Sequence, residues 1–163
     1  MYSTSHQDYE IIIESFAENF TNSPRDDTHW KIIRSRTEKI VGASGYKHQI
    51  DVFLESEKDV LLIECKCWAT KNKVPVGEYL KIFGRLKDIE PMYEGKHVRA
   101  ALVTRSEWQS GVEDLSSAWG GQISLFQVSE AGELGKQIHT RFFSSSGRIN
   151  FKAQAIIEGK RNV

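Results

Sequence analysis

Three residues in this chain have the types and spacing to carry out phosphodiester chemistry. Asp51 sits in "HQIDVFLE", and Glu64 and Lys66 sit in "LLIECKCW", a run that otherwise reads as a buried strand. In a strand, alternate residues share a face, so Leu62, Glu64 and Lys66 lie together, with Leu61, Ile63 and Cys65 opposite. A hairpin turning between Glu57 and Lys58 sets Asp51 across from Glu64, with Cβ atoms about 5 Å apart. Two carboxylates at that distance repel each other, and a chain that only had to fold gains nothing from the pairing.

A divalent cation between the two acids reverses the sign of the interaction. Mg²⁺ takes oxygen ligands, commonly one or two carboxylates completed by waters and substrate phosphate oxygens, and Mn²⁺ is its ready substitute. Lys66, on the face of Glu64, then reaches a water or a phosphate. The chemistry expected of such a site is metal-assisted hydrolysis of a phosphodiester. The bland alternative is an exposed ladder of ion pairs, since Glu-x-Lys alone is common. The apolar residues on both sides of Glu64 and Lys66 argue against exposure.

The elements that must hold these residues follow from hydrophobic periodicity. "DYEIIIESFAENF" places Tyr9, Ile12, Ile13, Phe16 and Phe20 on one helical stripe. Three strands in series come next: "HWKIIRSRTEKIVG", "YKHQIDVFLE" and "DVLLIECKCW". "VPVGEYLKIFGRLKDIE" reads as a helix with Val76, Leu80, Phe83 and Leu86 inward, Pro75 near its start and Pro91 past its end. "HVRAALVT" is a buried strand, "SGVEDLSSAW" a helix and "GQISLFQV" a last core strand. Strands in series imply an antiparallel meander, and strands separated by helices imply crossovers. The expected fold class is α/β: a mixed central sheet flanked by helices, in the order αβββαβ and then αβ. Residues 1–128 form the expected core and 129–163 a C-terminal extension on or beside it.

The 163 residues suffice for one domain with a real core, and 39% hydrophobic with 27% charged residues is globular composition. The formal net charge is zero, so overall charge does not advertise a polyanionic partner. No apolar run approaches a membrane span, and no basic start followed by an apolar stretch marks a secretory signal. Cys65 and Cys67 alternate along one strand, poorly placed to bond to each other, so a reducing cytoplasmic setting is expected. With His48 they make only a fragment of a zinc site. No glycine-rich phosphate loop is present.

Together, "HQIDVFLE", "DVLLIECKCW" and the strand order resemble the core of the PD-(D/E)xK nuclease superfamily, and most of all its Mrr-type restriction endonuclease branch. Archaeal Holliday-junction resolvases are more distant relatives. The resemblance spans about residues 9–128 and is most specific from Tyr46 to Lys66. It implies a restriction-endonuclease-like core in which Asp51 is the motif aspartate, Glu64 the variable acid and Lys66 the motif lysine. Ile50 stands where the motif has proline. A glutamate from the first helix often joins the metal shell in such proteins; Glu10 is the best match, and Glu14, one turn on, competes with it.

On this reading Asp51, Glu64 and Lys66 are catalytic, and Asp51, Glu64 and Glu10 hold Mg²⁺. DNA is the expected partner. Gln49, His48, Lys71, Lys73, Arg34 and Arg36 are candidate DNA contacts, which would give salt-dependent, sequence-neutral affinity. No separate DNA-reading helix is visible, so specificity falls to loops, the C-terminal segment or a partner protein. A junction resolvase acting as a homodimer and a non-catalytic binding module on the same fold are the competing expectations.

Overall fold

The computed structural model describes residues 31–34, 38–66, 72–104, 106–119 and 122–127, with the side chains of Ile32 and Arg34 excepted. The expected first helix, with Glu10 and Glu14, and the expected C-terminal extension lie outside these residues.

A five-stranded mixed sheet organises the described chain. Its strands are β1 (Lys31–Arg34), β4 (Val52–Glu55), β5 (Asp59–Lys66), β6 (His97–Thr104) and β7 (Ile123–Gln127), hydrogen-bonded in that order. β1, β4 and β5 run as an antiparallel meander; β5, β6 and β7 are parallel. Two short strands, β2 (Ile40–Val41) and β3 (Lys47–His48), pair separately as a hairpin. The helices are α1 (Val76–Ile89), continued by a 3₁₀ turn over Glu90–Tyr93, and α2 (Ser110–Ala118). The chain is thus a mixed α/β fold whose central sheet is flanked by helices.

The helices follow the parallel strands because parallel pairing needs a crossover. Pro75 occupies the N-cap of α1, where the N–H it lacks is not needed. Its buried stripe is Tyr79, Ile82, Leu86 and Ile89, at intervals of three and four residues. Of the expected stripe only Leu86 is fully buried: Val76 and Phe83 are partly buried against the core and Leu80 is 46% exposed. The stripe that packs on the sheet is rotated so that Tyr79 and Ile82 take the inward positions.

α1 covers the face formed by Phe53, Val60, Leu62, Val98, Ala100, Leu102 and Ile123. The opposite face, including Val52, Leu61, Ile63, Cys65, Ala101 and Val103, is buried as well. Burial on both faces explains why "HVRAALVT" is apolar almost throughout.

The β4–β5 hairpin sets the register on which the chemistry depends. Val52 pairs with Ile63, Phe53 with Leu62, Leu54 with Leu61 and Glu55 with Val60. Ser56 N–H donates to the Asp59 carbonyl at 2.8 Å, closing a two-residue turn over Glu57 and Lys58. Such turns favour positive φ, yet no described residue other than glycine adopts it. The Ser56 hydroxyl compensates by accepting the N–H groups of Lys58 and Asp59 at 3.3 and 3.0 Å.

Two expected strands are interrupted. "HWKIIRSRTEKIVG" yields β1 and β2, and "YKHQIDVFLE" yields β3 and β4 with Gln49, Ile50 and Asp51 outside both. Before β4 the cause is a side chain, that of Asp51, competing for the ladder, as described next.

Candidate active site

Asp51 lies one residue before β4, and the pairing of Val52 with Ile63 carries it to the position opposite Glu64. It does not extend the strand. Its Oδ2 accepts the Cys65 backbone N–H at 2.7 Å, the donor next in line along β5 for a strand partner. A side-chain acceptor thus ends the ladder and fixes the carboxylate at the same time. Both acids are buried: Asp51 is 9% exposed and Glu64 only 3%.

Burial pushes the Glu64 carboxyl up, the Asp51 charge adds to this, and Arg85 and Lys66 offset only part of it. The result is a pKa of about 7 against an ordinary 4.5. Arg85 Nη1 donates to Glu64 Oε1. Lys66, the last residue of β5, has its Nζ 3.8 Å from Glu64 Oε2 and 3.1 Å from Glu78 Oε2. Lys81 Nζ holds the other Glu78 oxygen at 2.7 Å. Burial raises the Glu78 carboxyl, but the hydrogen bonds from Lys81 and Lys66 outweigh it and hold that group below the ordinary range.

The charges therefore alternate from Arg85 through Glu64, Lys66 and Glu78 to Lys81, and these residues line a small cleft with Ile82. β5 supplies two members and one flank of α1 the other three. The cleft opens at the carboxyl end of the parallel strands, where α/β sheets commonly place ligand chemistry. Glu78 went unnoticed in the sequence, and Lys81 and Arg85 registered only as a basic cluster. Their signal was present: positions 78, 81 and 85 form one helical stripe beside the apolar one.

The remaining candidates disperse. His48 is buried, its Nε2 2.6 Å from Asp88 Oδ2. Gln49 is exposed. Lys73 is exposed and 3.2 Å from Glu107. Arg34 stands in register with Val52, next to Asp51 along the sheet. Lys71, Arg36 and Glu10 lie outside the described residues.

Asp51 and Glu64 offer hard oxygen donors of the kind Mg²⁺ or Mn²⁺ takes, and their mutual repulsion is what a cation would relieve. Among the described residues no group of three His, Cys, Asp or Glu side chains gathers to hold a metal. Two carboxylates are nonetheless a common protein share of a Mg²⁺ shell. Among the described residues, no helix is long and apolar enough to cross a membrane.

No family model matches the chain, and no curated protein matches its sequence. Solved structures similar to it include restriction and repair endonucleases. A protein of unknown function, AF1548, aligns at 17% identity and TM-score 0.50 over 72% of this chain. The MspJI restriction endonuclease, solved with a 27-mer oligonucleotide, aligns at 13% identity and TM-score 0.47 over 95% of it. A repair endonuclease from Pyrococcus abyssi aligns at 16% identity and TM-score 0.43 over 71%. The chain spans 56%, 32% and 46% of those three proteins, respectively. At such identities the likeness to AF1548 is one of fold.

Proposed function

We propose that this chain is a metal-dependent endonuclease that hydrolyses DNA phosphodiesters, of PD-(D/E)xK type and nearest the Mrr-like branch. One observation carries the reading. Two buried carboxylates, Asp51 and Glu64, face each other across a hairpin, with the ammonium of Lys66 at the mouth of the same face. A structural role accounts poorly for a buried acid whose pKa burial, and then the Asp51 charge, push up to about 7.

Asp51 and Glu64 would hold the Mg²⁺ or Mn²⁺, with Glu10 as the further acid that the motif resemblance implies. When bound, the ion supplies Lewis acidity toward water and the phosphate oxygens. Asp51 needs little reorganisation for this role, since the Cys65 N–H already fixes its carboxylate. Lys66, steadied by Glu78, orients the attacking water or donates to a phosphate oxygen. Arg85 shields the Glu64 charge, and its guanidinium would be free to meet a phosphate if a cation took over that charge.

The test is cleavage of supercoiled plasmid by the purified chain in Mg²⁺ or Mn²⁺. The wild type should nick or linearise it, EDTA should stop this, and Asp51→Ala and Lys66→Ala should each lose at least a hundredfold. Cleavage that survives both substitutions sinks the assignment. The same assay on branched and methylated DNA, with sedimentation of the protein, identifies the substrate class and tells monomer from homodimer.

A further inference from the structure

The β2–β3 hairpin is built with more precision than a surface turn needs. Asp88, near the end of α1, holds it by four contacts. Its carboxylate accepts the Ser44 N–H and the Ser44 hydroxyl, both at 2.8 Å, and meets His48 Nε2 at 2.6 Å; its backbone carbonyl accepts the Ala43 N–H at 2.7 Å. The fit admits only glycine at position 42, where a Cβ would stand 2.0 Å from Asp88 Oδ2. Gly45, at φ +81°, makes the turn that L side chains rarely adopt.

The clamp presents one large side chain to solvent. Tyr46 is 67% exposed, and its ring and that of His48 make a T-shaped contact with centroids 5.0 Å apart. Asp88 thus orients His48, and His48 orients Tyr46. Val41 and Lys47 pair across the hairpin and are exposed. Exposed Lys39 stands just before β2 next to exposed Glu38, while the Asp88 carboxylate is engaged by Ser44 and His48. The hairpin also lies beside the acid pair. Asp88 follows Arg85 by three residues, one turn of α1, and Arg85 reaches Glu64. Asp51 follows His48 by three positions, with only Gln49 and Ile50 between them, a span of at most about 11 Å.

We infer that this hairpin is a nucleic-acid contact in which Tyr46 stacks on an unpaired base flanking the bond to be cut, while Lys39 and Lys47 track the phosphates. The inference rests on the nuclease reading and deepens it, naming as substrate DNA with an unstacked base, such as an overhang, a fork or a junction. A largely exposed aromatic supported on one side by His48 suits such a base, because stacking accepts any base identity. The exposed lysines Lys39 and Lys47 add a salt-dependent pull on the backbone, since the Asp88 charge is taken up by Ser44 and His48.

Fluorescence anisotropy in EDTA, where binding is read without cutting, tests the inference on a forked duplex, a single strand and a blunt duplex. Tyr46→Ala should weaken fork and single-strand binding on the order of tenfold and blunt-duplex binding little, with Tyr46→Phe retaining most of the affinity. Lys39→Gln with Lys47→Gln should lower the salt slope on every substrate. Unfolding temperature should not move for Tyr46→Ala, since the side chain is exposed. Equal affinity of wild type and Tyr46→Ala for all three DNAs overturns the inference, as does a Tyr46→Ala effect confined to self-association in sedimentation. Plasmid cutting by wild type with unchanged Tyr46→Ala binding removes the hairpin's role alone. The predicted Tyr46→Ala binding loss in a wild type that cuts nothing removes the nuclease reading alone.

Discussion

Asp51 and Cys65 are joined by a 2.7 Å hydrogen bond from the Cys65 backbone N–H to the Asp51 carboxylate. The bond places the charge of Asp51 beside Glu64 and ends β4 at Val52. An amide oxygen can accept the same N–H, so Asp51→Asn should keep the fold while removing the charge. The Glu64 pKa should then fall below about 7, because Asp51 is one of the two causes raising it. Carboxyl ¹³C titration by NMR reads this directly, and an unchanged Glu64 value would mean that the two acids do not interact.

Glu64 also makes stability depend on pH. Its folded pKa of about 7 exceeds the ordinary 4.5, so the folded chain binds this proton more tightly than the unfolded chain. The resulting stability is complete below about pH 4.5 and is lost as pH rises through about 7. Glu64→Gln, permanently neutral, should gain on the wild type across that window by about 3 kcal/mol. Urea denaturation in EDTA at pH 5 and pH 8 measures the difference. A constant gap between the two proteins would contradict the shift.

Arg85→Ala should show the complementary pattern. At pH 8 it leaves a buried carboxylate without its main partner and should cost about 2 kcal/mol, less than for a wholly buried pair because Arg85 is partly exposed. At pH 5 Glu64 is largely protonated and the cost should shrink severalfold. The same denaturation series reports it, and an equal loss at both pH values would point to packing instead of charge.

Glu78→Gln should separate positioning from folding. Glu78 holds Lys66 at 3.1 Å and Lys81 at 2.7 Å. Weakening the first contact should lower the single-turnover cleavage rate about tenfold while leaving DNA affinity within twofold. A variant that cleaves at the wild-type rate would free Lys66 of any need for this partner.

Gly42→Ala should destabilise the chain by about 2 kcal/mol, since its new Cβ meets the Asp88 carboxylate with no room to spare. In an Asp88→Ala background the same change should cost much less, because the obstructing atoms are gone. A double-mutant cycle by denaturation measures the coupling. Additive losses would show that the clash is relieved elsewhere.

How much was legible in the sequence varies by element. β6 and α2 emerge within a residue of their expected limits, because continuous apolar runs and helical stripes are local patterns that burial merely completes. The pairing of Asp51 with Glu64 was legible too, since a two-residue turn at Glu57 and Lys58 admits one register. The interruptions at Gln49–Asp51 were not legible. They arise where a side chain competes for a backbone donor fourteen residues away. Nor was the partner of His48 legible: the residue does lie on a strand, β3, but its ring meets Asp88, forty residues on.

By itself the sequence determined the class of fold and the hairpin register that sets Asp51 opposite Glu64, because periodicity and turn length act through neighbours along the chain. Only the tertiary structure decided which charges surround them. Glu78, Lys81 and Arg85 reach Glu64 and Lys66 because α1 packs with Tyr79, Ile82 and Leu86 against the sheet, and that rotation of the helix is set by the shape of the core it fills.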